Sequence, residues 1–253
     1  MIKLSVAIIT FNEEHNIERC LQSVMPVADE VVVIDSYSTD STEQICHRYG
    51  AKFIKHTFEG YIEQKNYAMA QATFDWVLSL DADEALDETL LSSIKKIKEQ
   101  PAHHGYCMNR LANYCGQWIR HGGWYPDTKL RLFNRHFGKW GGYNPHDKFE
   151  FNNPASIFGK LTGNLLHFTF YNYAEHVAQT KRFAQISAKS YYDQGKRTVW
   201  GAQFVNPAFT FIKSYVLKLG FLEGLAGWRI ATMMAYGNYL KYTERLHLQN
   251  RNR

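Results

Sequence analysis

The stretch Trp76–Val77–Leu78–Ser79–Leu80–Asp81–Ala82–Asp83–Glu84 constrains the chain most. Residues 76 to 80 are apolar except Ser79, as in a strand buried on both faces of a sheet. The run ends in carboxylates, so the strand delivers Asp81 and Asp83 to one edge of that sheet. In open α/β sheets, ligands bind at the carboxyl ends of the strands. Two carboxylates at this spacing can share a hard cation that takes its other oxygens from phosphates and water. The competing reading is an ordinary acidic loop, with Asp83 or Asp87 capping the next helix.

Three earlier segments repeat the form. Residues 3 to 9 make a first strand, too short an apolar run for a leader and interrupted by Asn12–Glu13–Glu14. Asn12 is placed as the N-cap of a helix carrying Ile17, Cys20, Leu21 and Val24, which Pro26 ends. Glu30–Val31–Val32–Val33–Ile34 is a second strand ending at Asp35, and Asp40 and Glu43 have the spacing of a capping box for the helix that Gly50 closes. Residues 51 to 54 form a third strand, and residues 61 to 72 a helix bearing Gln64, Lys65 and Asn66. After Asp87, Leu90, Leu91, Ile94 and Ile97 mark another helix, stopped by Pro101. Strand and helix alternate four times, which predicts an α/β fold with a mostly parallel, doubly wound sheet and helices on both faces.

The second half is less regular. Lys129–Leu130–Arg131–Leu132–Phe133 alternates as a half-buried strand does. A long helix is predicted from about Tyr171 to Tyr192, closed by Gly195. From Pro207 onward the chain reads as two amphipathic helices around a break at Gly220, Gly224 and Gly227. Bulky apolar residues lie there beside Lys213, Lys218 and Arg229, which suits an interfacial helix on an anionic membrane surface; a dimer interface or a helix packed on the domain is the alternative. The net charge of +5 is compatible with an anionic partner but too small to choose one. No run of about 20 apolar residues predicts a membrane span. Cys20, Cys46, Cys107 and Cys115 form no CxxC pair and read as reduced core thiols of a cytosolic protein. The expected organisation is a domain over residues 1–200, in halves 1–110 and 111–200, followed by a helical tail over 201–253.

Four strand-end loops converge on one edge: Thr10–Glu13, Asp35–Asp40, Lys65–Asn66 and Asp81–Asp83. In this order the set resembles the family-2 glycosyltransferases of GT-A fold. The segments SVAIITFNEEHNIERCLQSV, VVVIDSYSTDST, GYIEQKNYAM, WVLSLDADE, WYPDTKLRLFNR, LLHFTF and FIKSYVLKLGFLEG are similar to the lipopolysaccharide-core β-1,4-glucosyltransferase subgroup. The resemblance implies a nucleotide-sugar donor, usually a UDP-sugar, a divalent cation (Mg²⁺ or Mn²⁺) at Asp81 and Asp83, and inversion at the anomeric carbon. It implies that Thr10, Phe11, Asn12, Glu13, Asp35, Lys65, Asn66 and the Asp81–Ala82–Asp83 turn line the donor site. Many members carry two adjacent aspartates after the second strand; this chain has Asp35–Ser36, which loosens the assignment of the base.

Inversion needs a general base on the face opposite the leaving diphosphate. Asp147 is the first candidate, where the subgroup often has a glutamate; Asp127 is the second and Glu150 the third. His146 and His167 are candidate further metal ligands. Trp118, Trp124 and Tyr125 suit either sugar stacking or core packing. The expected activity is transfer of glucose from UDP-glucose to a lipopolysaccharide inner-core heptose or similar saccharide or glycolipid acceptor, at the inner face of the cytoplasmic membrane. Transfer to a polyprenyl phosphate or a capsule intermediate is the alternative enzyme reading. A nucleotide-sugar-binding or basic nucleic-acid-binding protein is the non-enzymatic one; the resemblance leaves no nucleic-acid partner expected.

Overall fold

The computed structural model describes residues 1–143, 146–153 and 155–251, without the side chain of His146. The chain divides into two compact units. The first comprises Met1–Arg110 and Asp127–Phe168, the second Leu111–Pro126 and Thr169–Arg253. The long helix after residue 172 therefore groups with the tail rather than with the domain expected to end at residue 200.

In the first unit the strands are β1 (Leu4–Thr10), β2 (Glu30–Asp35), β3 (Lys52–Lys55) and β4 (Trp76–Asp81). They alternate with helices α1 (Ile17–Val24), α2 (Thr42–Arg48) and α3 (Tyr61–Gln71), as the periodicity predicts. Pairing in the order β3-β2-β1-β4 is parallel throughout. Beyond β4 come β5 (Glu84–Leu86), α4 (Glu88–Glu99), β6 (Gly105–Tyr114), β7 (Gln117–Trp118) and β8 (Asp127–Asn134). The hairpin β9 (Gly138–Tyr143) and β10 (His146–Phe151) follows, then β11 (Phe158–Phe170). The main sheet continues from β4 through β8, β6, β11 and β5, with β8 antiparallel to both of its neighbours.

Every residue of β1 is buried, and alternation explains why the run has no polar face. Leu4, Val6 and Ile8 join the core with Ile17, Leu21, Leu90 and Ile94, while Ala7 and Ile9 join Ala68, Phe133, Trp140 and Phe149 on the other face. Sequence and structure part at the helix starts. Asn12 caps nothing: α1 begins at Ile17, and Asn12 (φ 54°) accepts from the Thr39 amide at 2.8 Å and donates its own amide to the Ser38 hydroxyl at 2.7 Å. Asp40 lies two residues before α2, bonding the amide and hydroxyl of Thr42 and the amide of Glu14. Both side chains serve contacts between loops, which local pattern cannot report.

Asp87 does cap its helix, accepting from the Leu90 amide at 2.7 Å. Its other oxygen accepts from the amide and side chain of Asn164, which ties β11 to the start of α4. Gly163 permits this approach: its φ is +95°, and a Cβ there would collide with the Leu90 backbone. Gly163→Ala should cost about 2–4 kcal/mol, through a left-handed alanine and a backbone clash together, read as a lowered denaturant midpoint.

The second unit contains α5 (Tyr173–Asp193), α6 (Ala202–Ile212), a π turn (Lys213–Leu217), a 3₁₀ turn (Gly220–Glu223) and α7 (Gly224–Arg251). Helix α6 begins at the start of the tail expected over 201–253, ahead of the amphipathic stretch read from Pro207, and runs through that proline; the Asn206 side-chain amide donates to the Ala202 carbonyl there. Trp124 packs edge-on against Tyr114 and near Phe170 and His176, in a small core with Ile119 and Ile230. Core packing is thus what the structure shows for Trp124. Cys20, Cys46 and Cys107 are buried thiols, but Cys115 is exposed. Among the described residues no helix is long and apolar enough to cross a membrane.

Candidate active site

The turn after β4 is held by a side chain the sequence reading did not single out. Glu84 is fully buried, and its Oε2 accepts from the Asp81 amide at 3.0 Å, closing the Asp81–Glu84 turn. Its Oε1 accepts from Arg131 NH2 at 3.0 Å and lies 3.4 Å from Arg110 NH1. Arg131 is itself only 3% exposed and also reaches Asp81 Oδ2 at 2.8 Å. The strand β8 is therefore not half-buried over its last part: Arg131, Leu132 and Phe133 are all buried. The arginine occupies the position where alternation predicts a solvent face because that face meets Asp81 and Glu84.

Lys65, on α3, is the second buried cation, 3% exposed. Its Nζ sits 3.1 Å from Asp81 Oδ1 and donates to Asp147 Oδ2 at 2.7 Å. The Trp140 ring lies under both cations, 4.8 Å from Lys65 Nζ and 5.6 Å from Arg131 Cζ. Asn66 fixes that tryptophan by its backbone, donating to the Trp140 carbonyl at 2.9 Å and accepting from its amide at 3.0 Å. Adjacent residues of α3 thus grip both strands of the β9–β10 hairpin. Burial pushes the Asp81 carboxyl up, but the charges of Lys65, Arg131 and Arg110 overcome it and hold the group well below the usual carboxylate range.

Asp83 stands apart from these cations. Its Oδ2 is 3.1 Å from His167 Nε2, on β11. One oxygen and one imidazole nitrogen are thereby presented together beside Asp81. Among the described residues no three His, Cys, Asp or Glu side chains gather into a metal-binding group. A donor set of two fits a hard cation that completes its shell with diphosphate oxygens and water, and does not fit a closed structural metal site. The cation expected to be held by Asp83 with help from Asp81 meets a competitor at the second of these, because Asp81 already faces Lys65 and Arg131.

The other predicted residues fall around this edge. Thr10 is buried at the end of β1 in register with Asp35, and its Oγ1 has no partner among the described residues. Asp35 is fully buried and both of its oxygens are taken by Ser38, one by the amide at 2.8 Å and one by the hydroxyl. Phe11 is exposed, and Ala82 is buried with its amide on the Ile9 carbonyl at 3.2 Å. Glu13 accepts from Asn16 at 2.7 Å. Burial, reinforced by the nearby Asp83 charge, pushes its carboxyl up to about 7. Among the base candidates, Asp127 is bound by Arg110 at 2.7 Å and Lys129 at 3.1 Å. Burial raises its carboxyl, but those two charges lower it below the ordinary value. Glu150 is exposed and pairs with Lys148 at 2.8 Å. The side chain of His146 lies outside the described residues.

The family-2 glycosyltransferase model, described as Glycosyl transferase family 2, matches residues 5–173. The chain belongs to that family. It is 31% identical over 264 residues to an uncharacterized glycosyltransferase of Rickettsia typhi, with 100% of this chain and 90% of the relative covered. It is 28% identical over 261 residues to the lipopolysaccharide core biosynthesis glycosyltransferase LpsC of Rhizobium meliloti, covering 95% and 93% of the two chains. Among solved structures it is similar in fold to the mannosyltransferase PcManGT of Pyrobaculum calidifontis, solved with GDP-Man and Mn²⁺. That likeness has a TM-score of 0.56 at 16% identity, over 97% of this chain and 87% of the other. The GT-A architecture expected from the sequence is the one observed.

The raised Glu13 carboxyl has a stability consequence. Ionised glutamate is disfavoured in the folded state, so folding loses stability as pH rises from 4.5 through 7. With metal chelated, Glu13→Gln should raise Tm by about 2–6 °C at pH 8, and the gain should vanish by pH 4.5. A thermal-melt series over pH checks it. Arg131→Met strands Asp81 and Glu84 without their shared partner and should destabilise by about 3–5 kcal/mol in chemical denaturation.

Proposed function

We propose that this family-2 glycosyltransferase moves a sugar, glucose from UDP-glucose, with inversion, onto a lipopolysaccharide inner-core heptose or similar lipid-linked saccharide. It would work at the inner face of the cytoplasmic membrane. The observation that carries the donor half is the Asp83–His167 pair set beside an Asp81 already neutralised by Lys65 and Arg131. Asp83 and His167 would hold a divalent cation, which supplies positive charge for the departing diphosphate. The likeness to LpsC supports the acceptor class.

The chain's own residues divide the remaining work. Thr10 and the stitched loops after β1 and β2 make a wall for the nucleoside. Lys65 and Arg131 neutralise Asp81 at the end of β4, so that this carboxylate does not oppose the negative charge that gathers as the sugar–phosphate bond breaks. Asp147 takes the proton from the acceptor hydroxyl as its oxygen bonds to the anomeric carbon and the diphosphate departs from the opposite face. What favours Asp147 is Lys65, which bridges it to Asp81 and so sets it beside the donor turn. Asp127 pairs instead with Arg110 and Lys129 and, among the described residues, has no such bridge through Lys65 to Asp81.

Two measurements test this. Mn²⁺ with UDP should raise the Tm of the wild-type chain, and Asp83→Ala or His167→Ala should abolish the metal-dependent part of that rise. Asp147→Asn should lose at least about 10²-fold in transfer while UDP binding stays within about twofold. Near-normal turnover in Asp147→Asn would move the role to Asp127, and a wild-type chain that releases no UDP from any UDP-sugar would overturn the donor assignment.

A further inference from the structure

Charge is divided unevenly between the two units. The second holds thirteen Lys and Arg against four Asp and Glu, a net +9, and the first holds sixteen against twenty, a net −4. The second unit's few acids are partly spent: Glu223 is buried, and Asp193 pairs with Lys189 at 3.4 Å. The overall +5 conceals a strongly basic body.

The same unit exposes a folded apolar corner. It is built from the end of α6, the π turn, the 3₁₀ turn and the start of α7. Leu217 and Leu225 are 64% and 63% exposed, and Leu222, Phe221 and Trp228 are about half exposed. The corner is not loose chain. Phe211, Tyr215 and Trp228 pack with ring centroids 5.2–5.5 Å apart. A Cβ on Gly227 would collide with the Gly220 carbonyl, so the two turns touch through their glycines. Leu219 takes a left-handed φ of 58° although its side chain is exposed. Lys213 and Lys218 are exposed among these residues.

Glu223 ties this corner to the Gly-rich loop of the same unit. Its Oε1 accepts from the amides of Arg120 and His121, each at 2.9 Å, and lies 2.7 Å from His121 Nδ1. Its Oε2 accepts from Gln117 at 2.9 Å. The Gly122 amide donates to the Lys218 carbonyl at 2.8 Å, and the Ser214 hydroxyl donates to the Gly122 carbonyl at 2.9 Å. Loop and corner are one piece.

We propose that this corner seats on the surface of a bilayer carrying anionic lipid, with Leu217, Leu222, Leu225 and Trp228 entering the interface and Lys213, Lys218 and Arg120 meeting the headgroups. It deepens the peripheral-membrane reading above and rests on it for the lipid-linked acceptor. Exposed leucines beside lysines on a basic body match the two requirements of such binding, apolar insertion and attraction to anionic lipid. A second copy fits worse, because pairing this face would bring two bodies of net +9 together. The most exposed of these side chains, Leu217 and Leu225, neither stack on bases nor donate hydrogen bonds, which a nucleic acid would require of a binding face. Seating the corner carries the Arg120–Gly123 loop to headgroup level, since Glu223 allows neither to move alone.

The test is flotation of the full chain with vesicles at 0.15 M salt. The wild-type chain should float with vesicles containing phosphatidylglycerol and stay behind with pure phosphatidylcholine. Leu217→Asp with Leu225→Asp should abolish flotation. Lys213→Gln with Lys218→Gln should weaken partition to the anionic vesicles by roughly thirtyfold. Brominated acyl chains should quench wild-type tryptophan fluorescence, a readout that needs no variant to fold. Wild-type protein that neither floats nor is quenched overturns the proposal. So do double variants, melting like wild type, that float unchanged, or a wild-type dimer split by the Leu217 and Leu225 changes without vesicle binding. UDP release is followed in parallel: lost docking with UDP release intact removes this surface alone, and docking without UDP release removes the transferase reading alone.

Discussion

The burial of two cations, Lys65 and Arg131, at the end of β4 is the constraint on which the first unit's site depends. A lone buried charge is strongly disfavoured, so each needs carboxylates within contact distance. Asp81 supplies one to both, Glu84 a second to Arg131, and Asp147 a second to Lys65. These partners come from β4, β5 and the hairpin strand β10, and the cations from α3 and β8. The strands cannot separate at this point without leaving charge unpaired in a poorly solvated place. Such a network sets geometry more than it adds stability.

That network also separates the roles of two aspartates only two residues apart. Asp81 faces inward to the cations, and Asp83 faces His167 on β11. The result is an acidic group neutralised by protein and another left with one imidazole beside it. Glu13 lies in the same region, and burial, with the Asp83 charge adding to it, raises its carboxyl to about 7. A cation and a diphosphate would meet fixed charges of both signs there, arranged before either arrives.

Much of the first unit was legible in sequence. Strands β1, β2 and β4 are apolar runs of the right length, and helices α1 and α4 carry clean periodicity, because their side chains report burial directly. Asp81, Asp83, Lys65 and Asp147 were singled out, and the structure gathers Asp81, Lys65 and Asp147 into one chain of contacts with Asp83 alongside. Glu84, Arg110 and Arg131 were passed over. Each looks like an ordinary charged residue in its own segment, and only the register of β8 against β4 turns Arg131 toward Asp81. Asn12 and Asp40 read as helix caps for the same reason: their partners are some 26 residues away.

By itself the sequence determined the alternation of strands and helices, the placing of an acidic pair at a strand end, and an amphipathic tail broken by glycines. Those are properties of spacing and side-chain type. Tertiary structure decided which carboxylates are neutralised by cations, which faces histidine, and that Asn66 holds a backbone strand at Trp140. It also decided that residues 111–126 belong with the tail, joined to it by Glu223. Charge pairing and hydrogen bonding act over a few ångströms in space, and residues brought that close here are separated by as many as 106 positions along the chain.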